Sequence, residues 1–394
     1  MVGKLDTPVG IDEKGIDTDK KVVKIKKKKI PKLPKIKDVK LVSIDIGSKY
    51  IKILEAKKRN NIIQITSALK IESPNDIIEK GEIRNLPSIV NALNNTFMKW
   101  RISTKDISFN SISSGIMSRE ISIIDSEDIT LSERQMLVEN KLKEYLPINL
   151  EDYQIQFTVA GKFIEDEVKK LKVLVIVYPI KQIKSFLTVV SEMGNKLRPC
   201  SLDVTNNSVQ KFFNHVNTIN NKPVEKEKVH LFIDMGRNTF NASIIADGKL
   251  QFMRLIEASQ DAIDRGIALR IGKSYEEAEV LKMEQCSLMH SEFDGELTDE
   301  QVEVTEVVKA NVNGWIDEIK RLTQFYSNKE QRIVEKIYIY GGGAKLNGLA
   351  DYMQDKIEVE TERIVDFDGI EINKGVNIAN IDQFINSIGT VIRF

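Results

Sequence analysis

The fold is decided by residues 41–54, which read LVSIDIGSKYIKIL. An apolar run ends in Asp45 and is followed by a turn at Gly47 and Ser48, after which apolar and polar residues alternate. This pattern predicts two strands joined by a tight hairpin. A carboxylate that closes a buried strand costs free energy unless a cation or hydrogen-bond donors meet it. The stretch therefore predicts a hairpin whose closing carboxylate needs a cation or hydrogen-bond donors beside it.

The same pattern returns in the second half of the chain. Residues 230–241 read HLFIDMGRNTFN, so that Asp234 and Gly236 stand where Asp45 and Gly47 stand in the first copy. Each copy continues through a second turn into a third strand-like run. Strand triplets followed by helical segments in both halves predict α/β domains related by duplication.

Composition sets the broad class of the protein. The chain has 394 residues, of which 41% are hydrophobic and 29% charged, as expected for a soluble globular protein of more than one domain. Its two cysteines and three histidines match no metal-binding spacing, which indicates a reducing compartment. No apolar run is long enough to span a bilayer and the first residues lack a signal-peptide core, so we expect a cytoplasmic protein.

Residues 1–40 carry a concentration of positive charge although the formal net charge of the chain is zero. Like charges and two prolines in residues 20–35 predict a disordered, solubilising tail. The alternative is an electrostatic tether to anionic lipid, since each basic residue near such a surface contributes about 1 kcal/mol. No aromatic residue stands among the lysines to stack on bases, so nucleic acid is not an expected partner.

The domain organisation follows from the positions of these patterns. We expect a first domain at 41–215, a polar connection at 216–228 and a second domain at 229–394. Within the second domain, a short apolar helix at about 384–394 closes the chain.

Glycine turns of this kind have a chemical use. A tight turn leaves backbone N–H groups pointing the same way, and such a concavity binds anions, phosphate above all. Two turns that face each other across a cleft would grip a polyphosphate, with Asp45 and Asp234 placed to hold Mg²⁺ through water. The candidate polyphosphate-binding residues are Asp45, Gly47, Ser48, Lys49 and Lys52 in the first copy and Asp234, Gly236, Arg237, Asn238 and Thr239 in the second. The alternative is two ordinary hairpins whose glycines satisfy turn geometry.

Two further features extend the candidate site. A buried strand-like run at 336–340 leads into Gly341, Gly342 and Gly343, where the backbone can approach a flat ligand closely. This run is neither a P-loop nor a dinucleotide fingerprint. Glu279 and Lys282 lie three residues apart on one face of a predicted helix, either as a solvated ion pair or as hydrogen-bonding partners of a ribose.

The ordered set of motifs resembles the actin-like ATPase superfamily and, within it, the PilM family of type IV pilus assembly, which is related to FtsA. The matching segments are DIGS at 45–48 with Lys52, YLPI at 145–148 with LEDY at 150–153, Ser274 with Glu279 and Lys282, GGGAKLNGL at 341–349, and the segment 384–393. The resemblance covers nearly everything after the tail.

The resemblance implies an actin-like ATPase fold, in which two duplicated α/β domains enclose a nucleotide cleft. It implies an inserted subdomain at about 107–178 in the first half and a last helix that packs back towards the cleft. ATP with Mg²⁺ would lie in the cleft, with the hairpins on the phosphates, Glu279 and Lys282 on the ribose, and Gly341–Gly343 at the adenine.

The resemblance also implies partners and a location. PilM-like proteins bind the cytoplasmic N-terminal peptide of a PilN-like inner-membrane protein and link pilus motor ATPases to the membrane complex. We therefore expect a cytoplasmic scaffold at the inner face of the cell membrane, where the lysine-rich tail could add contact with the membrane surface.

The chain departs from the family pattern at two places. Ser259 and Gln260 stand where the family usually has Gly-Gly after the arginine at position 254, and Arg237 and Asn238 make the second turn bulkier than the first. These changes predict ATP binding with slow or absent hydrolysis. Two alternatives stay open: a small-molecule kinase, for which Asp203 is the one conceivable base, and an FtsA-like membrane-tethered filament protein.

Overall fold

Both predicted hairpins form. They are seen in a computed structural model of the protein, which describes residues 39–59, 62–125, 129–194, 196–289 and 295–392. The expected basic tail at 1–40 therefore lies outside the described residues, apart from its last two positions. Among the described residues, no helix combines the length and the apolar run that crossing a bilayer requires.

The first half of the chain supplies ten strands and four helices to the described structure. They are β1 (Val39–Ile46), β2 (Tyr50–Arg59), β3 (Ile62–Glu72), β4 (Ile78–Glu79), β5 (Glu82–Ile83), α1 (Leu86–Lys99), β6 (Asp106–Ser111), β7 (Met117–Ile124), α2 (Leu131–Tyr145), β8 (Tyr153–Glu165), β9 (Val168–Pro179), α3 (Ile180–Met193), β10 (Arg198–Val204) and α4 (Thr205–His215).

The second half follows with eight strands and five helices in the described residues. They are β11 (Thr218–Ile219), β12 (Lys222–Pro223), β13 (Val229–Met235), β14 (Thr239–Ala246), β15 (Lys249–Glu257), α5 (Gln260–Ile271), α6 (Tyr275–Gln285), α7 (Asp299–Glu330), β16 (Lys336–Tyr340), α8 (Leu349–Ile357), β17 (Glu360–Arg363), β18 (Ile370–Ile372) and α9 (Ile385–Val391).

The two hairpins lie in two sheets of the same design. One sheet has the order β10-β6-β1-β2-β3-β18, and the other has the order β15-β14-β13-β16-β17. In each sheet the first strand of the hairpin pairs antiparallel with its partner and parallel with a later strand, β6 or β16. The register repeats as well, because Asp45 lies opposite Lys52 and Asp234 lies opposite Asn241. This equivalence supports the predicted duplication.

The turn glycines are required by close backbone contacts. Gly47 N–H donates to the Tyr50 carbonyl at 3.0 Å, and Gly236 N–H donates to the Thr239 carbonyl at 3.1 Å. A Cβ atom would lie only 2.9 Å from the first of these carbonyl oxygens and 2.8 Å from the second. Each turn therefore needs glycine because a side chain would collide with the carbonyl that closes the hairpin.

A separate three-stranded sheet, in the order β7-β9-β8, packs with α2 around its own apolar core. It lies within the range 107–178 that was expected to form an inserted subdomain. The strand at the start of that range, β6, belongs to the six-stranded sheet, so the separate sheet begins at Met117. Helix α2 begins with a capping box, in which Thr130 and Glu133 bond to each other's backbone.

The segment expected to connect the halves, 216–228, is anchored along its length. Its β11–β12 hairpin places Asn220 against the second half, where the amide Nδ2 donates to the Arg363 carbonyl at 2.8 Å. The Asp368 carboxylate accepts from the N–H groups of Asn217 and Thr218 at 2.6 and 2.9 Å. The connection is therefore held in place by hydrogen bonds to the segment that follows β17.

The last segment of the chain returns to the first sheet. Strand β18 pairs in parallel with β3 at the sheet edge, and α9 packs against α4, β1, β2 and β6. All seven residues of α9 are buried. An apolar core containing Leu54, Phe213, Phe232 and Ile388 draws on both sheets. The range 229–394 was predicted as one domain, but its final segment, with β18 and α9, packs with the first sheet.

Candidate functional site

A cavity of about 310 Å³ lies between the two hairpin turns. Twelve of the fifteen predicted site residues line it: Asp45, Gly47, Ser48, Lys49, Lys52, Asp234, Gly236, Arg237, Asn238, Thr239, Glu279 and Gly342. The remaining three, Lys282, Gly341 and Gly343, are not part of the lining. A cavity of this size is at the lower end of the range for small-molecule sites.

Lys52 lies between the two predicted metal-binding carboxylates. Its ammonium contacts Asp45 Oδ2 at 2.9 Å, and both side chains are largely buried. Burial by itself would lower the pKa of Lys52, but the charges of Asp45 and Asp234 outweigh it and raise this pKa. The lysine therefore stays charged and neutralises part of the negative charge at this end of the cavity.

Asp234 is held from the opposite side by α9. Asn386 Nδ2 donates to Asp234 Oδ2 at 2.7 Å, and the hydroxyl of Tyr340 donates to Asn386 Oδ1 at 2.9 Å. Burial raises the pKa of Asp234, while Lys52 opposes this shift and Asp45 adds to it. The carboxylate is thus positioned by groups from both halves of the chain.

The two carboxylates fit a metal ion only together with another ligand. In the described part of the chain, no three acidic, histidine or cysteine side chains come together in a way that could hold a metal. Asp45 and Asp234 each use Oδ2 in the contacts described above, and both line the cavity. Mg²⁺ is commonly bound by one or two carboxylates with the remaining positions filled by water and phosphate oxygens. The residues present suit that arrangement.

The turns also present free backbone donors. Among the described residues, the backbone N–H groups of Ser48, Lys49, Arg237 and Asn238 donate no hydrogen bond. All four residues line the cavity. Unpaired N–H groups from two facing turns make the kind of concavity that binds an anion.

The balance of side-chain charge around the cavity is positive. Its lining includes five basic side chains and three carboxylates: Lys49, Lys52, Lys70, Arg237 and Lys345 against Asp45, Asp234 and Glu279. Such an excess favours a ligand that carries several negative charges.

Basic residues of both turns converge on Glu279 of α6. The Lys49 ammonium forms an ion pair with Glu279 Oε1, and Arg237 Nη1 lies 3.7 Å from the same oxygen. Arg237 Nε contacts Asp261 Oδ1 at 2.5 Å, and Nη2 donates to the Tyr275 hydroxyl. Glu279 is therefore the point where the two turns meet the helix predicted to hold a ribose.

The structure places Lys282 elsewhere. Its ammonium lies 2.6 Å from Asp264 Oδ1, and this ion pair between α5 and α6 is almost fully buried, with side chains only 4% and 0% exposed. Lys282 is three residues from Glu279, but its side chain turns into the interior. The expectation that it contacts a ribose is not supported, because a buried carboxylate needs this cation.

The glycine run is used in two ways. Gly341 has a φ of +92°, and a Cβ atom there would lie 2.7 Å from Asp234 Oδ1. This position needs glycine both for its backbone conformation and for the close approach of the carboxylate. Gly342, in contrast, faces the cavity with nothing within 4 Å of its missing Cβ.

Comparison with known proteins identifies the family. The family model described as type IV pilus assembly protein PilM matches residues 43–391. The chain belongs to the PilM family. Comparison with curated protein sequences gives no match.

Solved structures agree with this membership. A chain of a PilM–PilN type IV pilus biogenesis complex superposes with a TM-score of 0.74 at 17% sequence identity, covering 90% of this chain and 98% of that one. EutJ from Carboxydothermus hydrogenoformans (TM-score 0.49, 11% identity, 91% and 90% coverage) and ADP-bound MreB5 of Spiroplasma citri (0.49, 13%, 90% and 95%) are more distant. The family match and the superposition on the chain of the PilM–PilN complex confirm the predicted actin-like ATPase fold.

For a PilM-family chain, Ser259 and Gln260 are the most notable departure from the expected pattern. Gln260 Nε2 donates to the Gly236 carbonyl at 2.8 Å, and its side chain packs beside Gly343, where a Cβ atom would lie 2.1 Å from Nε2. Ser259 caps α5 by accepting from Ala262 N–H at 3.2 Å. The glutamine therefore ties the second turn to the glycine run, and a side chain at position 343 would have to displace the Gln260 amide.

Asn241 is a residue of this PilM-family site that sequence reasoning missed. Asn206 Nδ2 donates to Asn241 Oδ1 at 2.9 Å and to the Ala242 carbonyl at 3.1 Å, which fixes how both amides are turned. Asn241 lines the cavity, and its Nδ2 is buried with no hydrogen-bond partner among the described residues. The repeat offered a signal, because Asn241 follows Asp234 by the same seven positions that separate Lys52 from Asp45.

Asp203, the base considered for a kinase, is not part of the cavity lining. Its carboxylate accepts from Asn207 at 2.7 Å and from Ser208 at 2.8 Å, and it forms an ion pair with Lys211. These contacts at the start of α4 give Asp203 a structural role.

Proposed function

We propose that the protein is a nucleotide-binding scaffold of type IV pilus assembly that binds ATP with Mg²⁺ in the cavity between the hairpins. The observation that carries this proposal is the pair of equivalent turns, which face one cavity with free N–H groups and an excess of positive charge. The turns would hold the phosphates, Asp45 and Asp234 the hydrated metal ion, and Glu279 the ribose. Gly342 would lie against the base.

The chemistry that this chain's residues supply is binding rather than proton transfer. Lys52 neutralises charge between the two carboxylates, and Asn386 orients Asp234. Gln260 restrains the second turn by donating to the Gly236 carbonyl. We therefore propose slow or absent ATP hydrolysis, with nucleotide setting the conformation of the cleft.

Titration calorimetry with ATP and Mg²⁺ tests the nucleotide site. We expect binding that Asp234→Asn weakens about tenfold, because this change removes a carboxylate from the metal. Ser191→Ala, an exposed position on α3 outside the lining, is the control and should bind ATP as the wild type does. Absence of any ATP binding by folded wild-type protein would refute the proposal.

The proposed partner is the cytoplasmic N-terminal peptide of a PilN-like inner-membrane protein. Family membership supports this assignment, and it would place the protein at the inner face of the membrane, between that protein and the pilus motor ATPases. A contribution of the lysine-rich tail to membrane contact belongs to the same proposal. A fluorescent synthetic peptide of this kind should bind with saturable anisotropy, whereas a peptide of scrambled sequence should not.

A further inference from the structure

One ion pair crosses the cavity from the first hairpin turn to α6. Lys49 and Glu279 are 230 positions apart in the chain, yet their charged groups are in direct contact. Both side chains line the cavity and are about one-third exposed, at 31% and 33%. The pair therefore links the two halves at the wall of the cavity.

Lys49 depends on this partner more than Arg237 does. Arg237 forms an ion pair with Asp261 and donates to the Tyr275 hydroxyl, whereas its distance to Glu279 is 3.7 Å. Glu279 is the one carboxylate within ion-pair distance of Lys49 in the described structure. Burial lowers the pKa of Lys49 and the neighbouring Arg237 adds to this effect, so the charged ammonium requires an anion beside it.

A phosphate bound in the first turn would offer such an anion. The free N–H groups of Ser48 and Lys49 are adjacent to the Lys49 side chain, so a group bound there lies within reach of the ammonium. Phosphate and Glu279 therefore compete for one cation. When phosphate takes it, the Glu279 carboxylate becomes free to accept hydrogen bonds from other groups of the ligand.

We propose that Lys49 and Glu279 form a latch, an ion pair that spans the cleft in the absence of nucleotide. The polyphosphate of a nucleotide opens this latch by binding the Lys49 ammonium. Glu279 is thereby released to accept hydrogen bonds from the sugar hydroxyls. This inference rests on the proposed nucleotide site and adds the order of events within it. The latch makes the cleft selective for ligands that carry phosphate. A nucleoside without phosphate must break the Lys49–Glu279 ion pair but offers Lys49 no anion in place of Glu279.

Measuring the binding of ATP and of adenosine to Lys49→Met distinguishes the latch from a role in which Lys49 only contacts phosphate. We expect ATP to bind about tenfold more weakly, because a phosphate contact is lost. Adenosine should bind about fivefold more tightly, because Glu279 is already free; this factor corresponds to a partly exposed ion pair. Both affinities can be measured by displacement of a fluorescent ATP analogue.

Lys329→Met is the matched control. Lys329 also joins the two halves of the chain through an ion pair, with Glu120 at 2.8 Å, and its side chain is 38% exposed, but neither residue lines the cavity. The change should leave both affinities unchanged. If Lys49→Met weakens adenosine, or leaves it unchanged, while ATP still binds the wild type, the latch is refuted and the proposed function stands. If folded wild-type protein binds neither ligand, both proposals fall.

Glu279→Gln gives the reciprocal result. Removing the carboxylate frees Lys49, so inorganic triphosphate should bind about fivefold more tightly while adenosine binds more weakly. In thermal unfolding, Lys49→Met and Glu279→Gln should be non-additive without ligand and additive with saturating ATP. Non-additivity that persists in ATP would show that nucleotide leaves the ion pair intact, and would overturn the proposal.

Discussion

Lys282 shows which features of a single residue can be predicted from the sequence and which cannot. Its spacing from Glu279 correctly predicts a shared helix, but the direction of its side chain depends on Asp264, which lies on another helix and is fully buried. The same holds for Gln260, whose hydrogen bond to the Gly236 carbonyl cannot be inferred from local pattern. In contrast, Asp45, Gly47, Asp234 and Gly236 were predictable because the repeat fixes their positions within equivalent hairpins.

Lys282→Met should destabilise the protein by about 3 kcal/mol, because it leaves the Asp264 carboxylate buried without a cation. Apart from the Lys282 ammonium, no donor among the described residues contacts either Asp264 oxygen. The double variant Lys282→Met/Asp264→Leu removes both charges and should recover most of this loss. Chemical denaturation measures the free energy of unfolding, and ATP titration of the double variant supplies the second readout.

The double variant should bind ATP within about twofold of the wild type, since the ion pair lies outside the cavity lining. A strong loss of nucleotide affinity in a variant of restored stability would instead assign Lys282 to the ligand.

At the scale of elements, strong local signals predicted the structure well. The strand triplets of both halves, the strand at 336–340 and the last short helix are all present. Strand β18 was missed because three residues carry no periodicity and their pairing with β3 is non-local. The β11–β12 hairpin was also not predicted, because the polar composition of its segment indicated a connection without secondary structure. Its order depends on hydrogen bonds with residues far along the chain.

Glu362 of β17 anchors this hairpin and gives a pH-dependent prediction. Burial alone would raise its pKa, but Lys222, Lys336 and Asn220 lower it from 4.5 to about 2. A lowered carboxyl pKa in the folded state contributes stability that is fully present above pH 4.5 and lost as the pH falls towards 2. We expect Glu362→Gln to cost about 2 kcal/mol at pH 7.

The difference in unfolding free energy between the wild type and Glu362→Gln should fall to about half of this value at pH 3. Glu360→Gln on the same strand is the control; its carboxylate is half exposed and pairs with Lys336 at 2.9 Å, so the change should cost at most about 0.5 kcal/mol. If the difference in unfolding free energy does not decrease at acidic pH, Glu362 stabilises the protein through packing and not through its charge.

At the scale of the whole molecule, α9 joins the two halves at the cavity. It packs on the first sheet and α4, while its Asn386 reaches the second hairpin through Asp234 and the strand β16 through Tyr340. The sequence predicted a last helix that packs towards the cleft, by resemblance. It could not predict that an amide on this helix orients a carboxylate, because that contact depends on the arrangement of both sheets.

Asn386→Ala tests this connection. The change leaves Asp234 Oδ2 and the Tyr340 hydroxyl without their partner, so we expect a loss of about 2 kcal/mol in the free energy of unfolding. It also removes a hydrogen bond that lowers the pKa of Asp234, so that pKa should rise further and, on acidification, the carboxylate should lose metal at a higher pH than in the wild type. Affinity for ATP with Mg²⁺ should fall about tenfold at the acid end of the titration, with recovery as the pH is raised.

Ser387→Ala is the matched control, because Ser387 is the next residue of α9, is fully buried, and its hydroxyl has no hydrogen-bond partner in the described structure. Removing an unpaired hydroxyl should change stability by less than about 1 kcal/mol and leave ATP affinity unaltered. If both variants weaken ATP binding equally and without pH dependence, the cause is the packing of α9 between the halves. If only Asn386→Ala does so and alkaline pH restores it, the amide controls the charge of Asp234.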